Sequence, residues 1–62
     1  MQVKITTKRR TYDFREYDVT SIVERKSKTN EGLVWLVLKK DDTDLAKFRL
    51  TEVEAILFID IG

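Results

Sequence analysis

The chain has 62 residues, 42% of them hydrophobic and 37% charged, and contains no cysteine, histidine or proline. That excludes a disulfide framework, a thiolate or imidazole metal site, a thiol nucleophile and an imidazole base. Chains this short bury only about 60% of the surface they expose when unfolded, which leaves room for a single domain, 1–62. No window approaches the ~20 apolar residues of a membrane helix, and Met1-Gln2-Val3-Lys4 opens no signal-peptide pattern. The expectation is a soluble cytoplasmic protein with no membrane partner.

Twelve Lys and Arg against eleven Asp and Glu leave a net charge of +1. The near-zero total hides an uneven distribution. Lys4, Lys8, Arg9, Arg10 and Arg15 crowd the first quarter, whereas acids gather at Asp41, Asp42 and Asp44 and again at Glu52, Glu54 and Asp60. A basic face and an acidic rim are compatible with that order.

In chain order, Val3 to Thr6 reads as a first strand and Thr7 to Arg10 as a basic turn. Tyr12 to Tyr17 reads as a second strand, with Tyr12 and Phe14 on one face. Asp18-Val19-Thr20-Ser21 is a turn by its side-chain acceptors. Ile22 to Lys28 forms a third strand, and Thr29-Asn30-Glu31-Gly32 turns the chain again. Leu33 to Leu38 is six consecutive apolar residues, which suits a central strand covered on both faces. Asp41-Asp42-Thr43-Asp44 closes a hairpin. Leu45 to Leu50 then alternates, with Ala46, Phe48 and Leu50 on one side and Leu45, Lys47 and Arg49 on the other. Leu50, Val53, Ile56 and Leu57 fall at helical spacing, and Thr51-Glu52-Val53-Glu54 matches a capping box, predicting one to two helical turns. The tail Leu57-Phe58-Ile59-Asp60-Ile61 returns to extended form. The sum is a mainly β protein, a small five-stranded, SH3-like, partly open barrel with a short C-terminal helical turn. An OB-like or simple meander sheet is the alternative.

The candidate site follows from strand alternation. With Val34, Leu36 and Leu38 turned to the core, Leu33, Trp35, Val37 and Lys39 face outward, beside Leu45, Lys47 and Arg49 of the next strand. With Val23 turned inward, Glu24, Lys26 and Lys28 join them. One face then carries Trp35, Leu33, Val37 and Leu45 ringed by Lys26, Lys28, Lys39, Lys47 and Arg49, with Glu24 its sole acid. Cations neutralise phosphates, and an aromatic ring stacks on a base or wedges a groove. Lys8, Arg9 and Arg10 extend the candidate set as a further phosphate or acidic-partner contact. The same residues also fit a blander account: a Trp within an apolar run suits a core or subunit interface, and strand Lys and Arg are ordinarily solvated.

Val3-Lys4-Ile5 opening a hairpin, Asp18-Val19-Thr20-Ser21-Ile22 at the break into a three-stranded sheet, and Leu50-Thr51-Glu52 ahead of a helix carry a resemblance. In this pattern the chain resembles the small archaeal chromatin proteins built on an SH3-like barrel. The resemblance implies a sheet face seated on the DNA minor groove, with Lys26, Lys28, Trp35, Lys47 and Arg49 as contacts. Those proteins are strongly basic and have Gly-rich turns where this near-neutral chain has Asp41-Asp42-Thr43-Asp44.

Catalysis finds no purchase. Ser21 and Ser27 have no imidazole partner, no Ser-x-x-Lys arrangement is present, and carboxylate pairs such as Glu52 and Glu54 lack a pocket-sized fold around them. Asp41, Asp42 and Asp44 suit a turn better than a calcium loop, which needs about six oxygens and a glycine bend. The chain therefore reads as a non-enzymatic binding module, with no catalytic residues, metal, cofactor or small-molecule substrate. Two functions remain. One is sequence-tolerant nucleic-acid binding through the basic and aromatic face. The other is a protein-interaction or inhibitory accessory module of phage or mobile-element type, self-associating through Leu57, Phe58, Ile59 and Ile61 of the apolar tail.

Overall fold

In the first strand the side chains alternate as a pleated backbone requires: Val3, Ile5 and Thr7 are buried, while Gln2, Lys4 and Thr6 are only partly so. The computed structural model describes residues 1–59. Its strands are β1 (Gln2–Thr7), β2 (Thr11–Asp13), β3 (Ser21–Lys26), β4 (Val34–Lys40), β5 (Thr43–Arg49) and β6 (Val53–Ile59). They form two three-stranded antiparallel sheets, ordered β2-β1-β6 and β3-β4-β5. The protein is thus mainly β, with six strands among the described residues rather than the five expected. No ladder joins the two sheets among the described residues, so the barrel stays open.

The core lies between the sheets. Val3 and Ile5 of β1 meet Leu36 and Leu38 of β4, with Phe14 and Val19 from the connection between β2 and β3. Tyr12, Ile22, Leu45, Ala46, Phe48, Leu50, Val53 and Ile56 pack around that centre.

Local chemistry sets the strand ends. Thr7 organises the basic turn: its Oγ1 donates to the Arg10 carbonyl (3.0 Å) and accepts from the amides of Arg9 and Arg10 (both 3.3 Å). Asp13 stops β2 early, because its carboxylate accepts the Arg15 amide at 2.9 Å and pairs with the Arg15 guanidinium. The second strand therefore ends at Asp13 instead of Tyr17, though Phe14 still reaches the core. Ser27 ends β3 in the same manner, its Oγ accepting the amides of Thr29 and Asn30. Gly32, at φ 87°, supplies the left-handed residue that brings the chain back into β4. Asp41, at φ 53°, does so in the hairpin between Lys40 and Thr43, as a residue type that tolerates that region.

The helix expected after Leu50 is absent. Leu50–Glu52 form a single 3-10 turn with no side-chain cap, and Val53 is already extended (φ −80°, ψ 121°). Thr51 sits inside that turn rather than at its cap, so the capping box has no helix to cap. The three-residue spacing has a different cause. The β1–β6 register passes from Thr6↔Ala55 to Thr7↔Val53, leaving Glu54 as an extra residue. This bulge turns Val53 and Ile56 to the same core-facing side, opposite Thr7 and Ile5, although an unbroken strand would set them on opposite sides. A bulged strand thus imitates a helical stripe. Leu57, the fourth member of the stripe, is 58% exposed.

Leu38 is fully buried at the centre of the core. Leu38→Ala is expected to cost about 2–5 kcal/mol, a large part of the ~5–15 kcal/mol typical of a domain. At a urea slope of about 1 kcal/mol/M the unfolding midpoint should fall by about 2 M or more. An unchanged midpoint would remove Leu38 from the core.

Candidate functional site

Antiparallel register builds one face of the β3-β4-β5 sheet residue by residue. Trp35 lies between Arg25 and Arg49, Val37 between Val23 and Lys47, and Lys39 between Ser21 and Asp44. These side chains point away from Leu36 and Leu38, which belong to the core. Trp35, Val37, Lys39, Lys47 and Arg49 therefore share a face.

Several expected members sit elsewhere. Ile22, not Val23, packs on the core, and Val23 is 37% exposed. The parity of β3 is thus reversed: Arg25 stands beside Trp35, while Glu24 and Lys26 oppose Leu36 and Val34. Leu45 is the extra residue of a second bulge, where the register passes from Leu38↔Ala46 to Lys39↔Asp44. The bulge lets both Leu45 and Ala46 pack on the core, which removes Leu45 from the outer face.

Val37 is on the outer face and yet fully buried. The cover comes from charged side chains. Arg25 of β3 reaches across β4 to Asp44 of β5, Nη1 to Oδ2 at 2.7 Å, and the register takes that bridge over Val37. Lys39 Nζ lies 3.9 Å from the same carboxylate. The hydrogen bond from Arg25 holds the Asp44 carboxyl below its ordinary range, with partial desolvation opposing and the charges of Arg25, Lys39 and Lys47 adding to the effect. Asp44, read from sequence as part of a turn, is therefore the acid of this face, in place of Glu24.

Lys47 lies over the partly buried Trp35, its Nζ 4.4 Å from the ring centroid. The indole separates two depressions. One, of about 570 Å3, is lined by Arg25, Lys26, Lys28, Leu33, Trp35 and Lys47, so the loop after β3 brings Lys26, Lys28 and Leu33 to the tryptophan despite the parity of Lys26. The other, about 590 Å3, runs beside β5 between Tyr12, Phe48 and Glu52 on one side and Trp35, Lys47 and Arg49 on the other.

The basic turn adjoins two members of this lining, Tyr12 and Glu52. Arg10 Cζ lies 4.7 Å above the Tyr12 ring, and the Lys8 amide donates to the Glu52 carbonyl at 3.2 Å. Lys8 and Arg9 are exposed at the tip of the turn. Sequence reading missed Arg25, Asp44, Tyr12 and Glu52 as neighbours of Trp35. A cation two places before an aromatic, as in Arg10-Thr11-Tyr12, is the one local signal that pointed there.

Every cation in an ion pair among the described residues is Arg15, Arg25, Lys39 or Lys40. Among those residues Lys26, Lys28, Lys47 and Arg49, and Lys8, Arg9 and Arg10, have no carboxylate partner. Apart from Lys4 on β1, the cations without an ion pair among the described residues gather around the tryptophan and in the basic turn.

The expected self-association residues are on β6, an edge strand bonded only to β1 among the described residues. Leu57 and Phe58 are 58% and 60% exposed, and Ile59 is partly buried. Register places Phe58 opposite Val3 and Leu57 opposite Lys4, so the two project from opposite faces of the sheet. Ile61 lies outside the described residues. Comparison with protein-family models, curated proteins and solved structures finds no match for this chain.

Trp35 is the only tryptophan, so its emission reports on this site alone. Lys47→Ala should uncover the ring and raise its quenching by acrylamide. The fold should lose less than about 1 kcal/mol, the scale of an exposed cation–π contact. Unaltered quenching in a folded variant would show that Lys47 does not shield the indole in solution.

Proposed function

We propose that the protein is a non-enzymatic, sequence-tolerant nucleic-acid-binding module acting through the Trp35 side of the β3-β4-β5 sheet. The observation that carries this reading is the set of unpaired cations, Lys26, Lys28, Lys47 and Arg49, around a partly accessible indole. Cations already matched by carboxylates gain little from a phosphate. Unmatched ones replace the counterions of the polyanion and release them. Of the nearby carboxylates, Asp44 is engaged by Arg25 and Lys39, and Glu52, in the groove beside β5, has no cation partner among the described residues.

The accompanying fold reading is an open SH3-like barrel. Its support is the packing of two three-stranded sheets about one core and the 3-10 turn between the last two strands. The resemblance to archaeal chromatin proteins leads to the same class of ligand. The chain differs from them in running from Leu50–Glu52 into a strand.

Four phosphate contacts imply a log–log salt slope of about −3 to −4, at roughly −0.7 to −0.9 per phosphate. Lys47→Glu combined with Arg49→Glu should abolish both binding to a mixed pool of single- and double-stranded oligonucleotides and retention on heparin. Circular dichroism should stay native, because both residues are exposed. Wild-type protein that binds no oligonucleotide at 50 mM salt, or charge-reversed protein that binds as well as wild type, would overturn the reading.

A second reading rests on the β6 edge. Leu57 and Phe58 on a strand bonded only to β1 among the described residues suit antiparallel pairing with another copy, since such edges are templates for strand addition. No lysine or proline guards Val53–Ile59. Sedimentation should then give a dimer that Leu57→Lys converts to monomer; a wild-type monomer at hundreds of micromolar would dismiss this interface.

A further inference from the structure

We infer that the nucleic acid taken by this surface is single-stranded and lies in the groove beside β5, bases against Tyr12 and Trp35, phosphates against Lys47 and Arg49. The inference rests on the nucleic-acid reading and narrows it to one ligand class.

Shape makes the first argument. A protein that binds a duplex by wedging needs an apolar tip that projects between base steps. The outer sheet face offers no long one: Val37 is fully buried, Trp35 is partly buried with Lys47 above its ring, and Val23, though 37% exposed, is a short side chain beside Val37. The accessible aromatic surface lies instead in the walls of a groove, where Tyr12 and Trp35 both contribute to the lining. Stacked base pairs present only their edges in duplex grooves and cannot offer a π-face to rings that do not project from the surface. The unpaired bases of a single strand can.

The cations make the second argument. Each of the two rings carries a basic group, Arg10 over Tyr12 at 4.7 Å and Lys47 over Trp35 at 4.4 Å. That arrangement puts a basic group beside each ring, and aromatic rings together with cations are the combination by which single strands are held without sequence preference. Lys47 is a flexible point charge that can leave the indole for a phosphate. The planar Arg10 guanidinium can stay and stack between Tyr12 and a base. Phe48 fixes one wall, its ring centroid 5.0 Å from that of Tyr12. Glu52, exposed on the Tyr12 side of the groove, repels phosphates there and directs the strand's backbone toward Lys47 and Arg49.

Fluorescence anisotropy with labelled (dT)15, which has no self-structure, and a mixed-sequence 15-base-pair duplex at equal salt tests this. The single strand should bind at least about tenfold more tightly and quench Trp35 emission. Tyr12→Ala should weaken it by about tenfold, the lower range for loss of one stacked base, while leaving duplex binding within about twofold. If Tyr12→Ala unfolds, quenching of wild-type Trp35 by (dT)15 and not by duplex serves as the readout. Duplex binding equal to or tighter than (dT)15, without Trp35 quenching, would overturn this inference and leave the broader reading standing. Failure to bind either ligand would remove both.

Discussion

β4 has to be kept dry on both faces, and most of the molecule's organisation answers that demand. Its apolar run occupies the middle of a sheet in a chain too short for a second core. Leu36 and Leu38 satisfy one side against Val3 and Ile5. On the other side no apolar layer exists. The cover draws on long basic side chains whose aliphatic stems can lie on the sheet while their heads reach water: Arg25, tied to Asp44 diagonally past Val37, and Lys47, which flanks Val37 and lies across Trp35. The energetics of the pairs themselves are small, because exposed ion pairs contribute little. Their effect is steric, excluding water from a valine that alternation would leave exposed.

That solution links stability to binding. The residues that shield the outer face are also the ones that give it charge. Carboxylates are sparse there, and Asp44 is already committed to Arg25 and Lys39. The other paired cations, Arg15 and Lys40, belong to the Asp13 and Asp18 turns. A net charge near zero is therefore a sum over regions with different balance, and the region around the indole is the one with cations in excess. In the nucleic-acid reading, ligand phosphates would take the place that carboxylates occupy elsewhere on the surface.

How much of this is legible in the sequence depends on where the period of two is interrupted. In β1 and β4 it is unbroken, so the strands and the opposite senses of Trp35 and Leu36 can be read directly from residue order. Two bulges are silent. The one at Leu45 sends that residue to the core with Ala46, and the one at Glu54 places Val53 and Ile56 on one side at helical spacing. Neither carries a glycine to betray it. In β3 the neighbours Ile22 and Val23 are chemically equivalent as core candidates, and only the pairing Val23↔Val37 decides between them. The groove was beyond reach for another reason. Tyr12 comes to the groove it shares with Trp35 only because the β1–β2 hairpin packs across the other sheet, a tertiary fact with no local sign.

The two sheets leave chemically different free edges. Beside β5 runs a groove lined by aromatic rings and by the cations Lys47 and Arg49, which resist close approach of a like-charged copy. β6 carries Leu57 and Phe58 and, between Val53 and Ile59, only the charge of Glu54. A second copy meets no comparable barrier at that edge. Strand pairing there would extend the β2-β1-β6 sheet and leave the Trp35 groove, on the other sheet, open. Two grooves in one assembly would then engage one strand together, and the second contact would gain from the effective concentration set by the first. Weak sites of a few phosphates each become adequate under that arrangement, which is the condition a chain of this size has to meet.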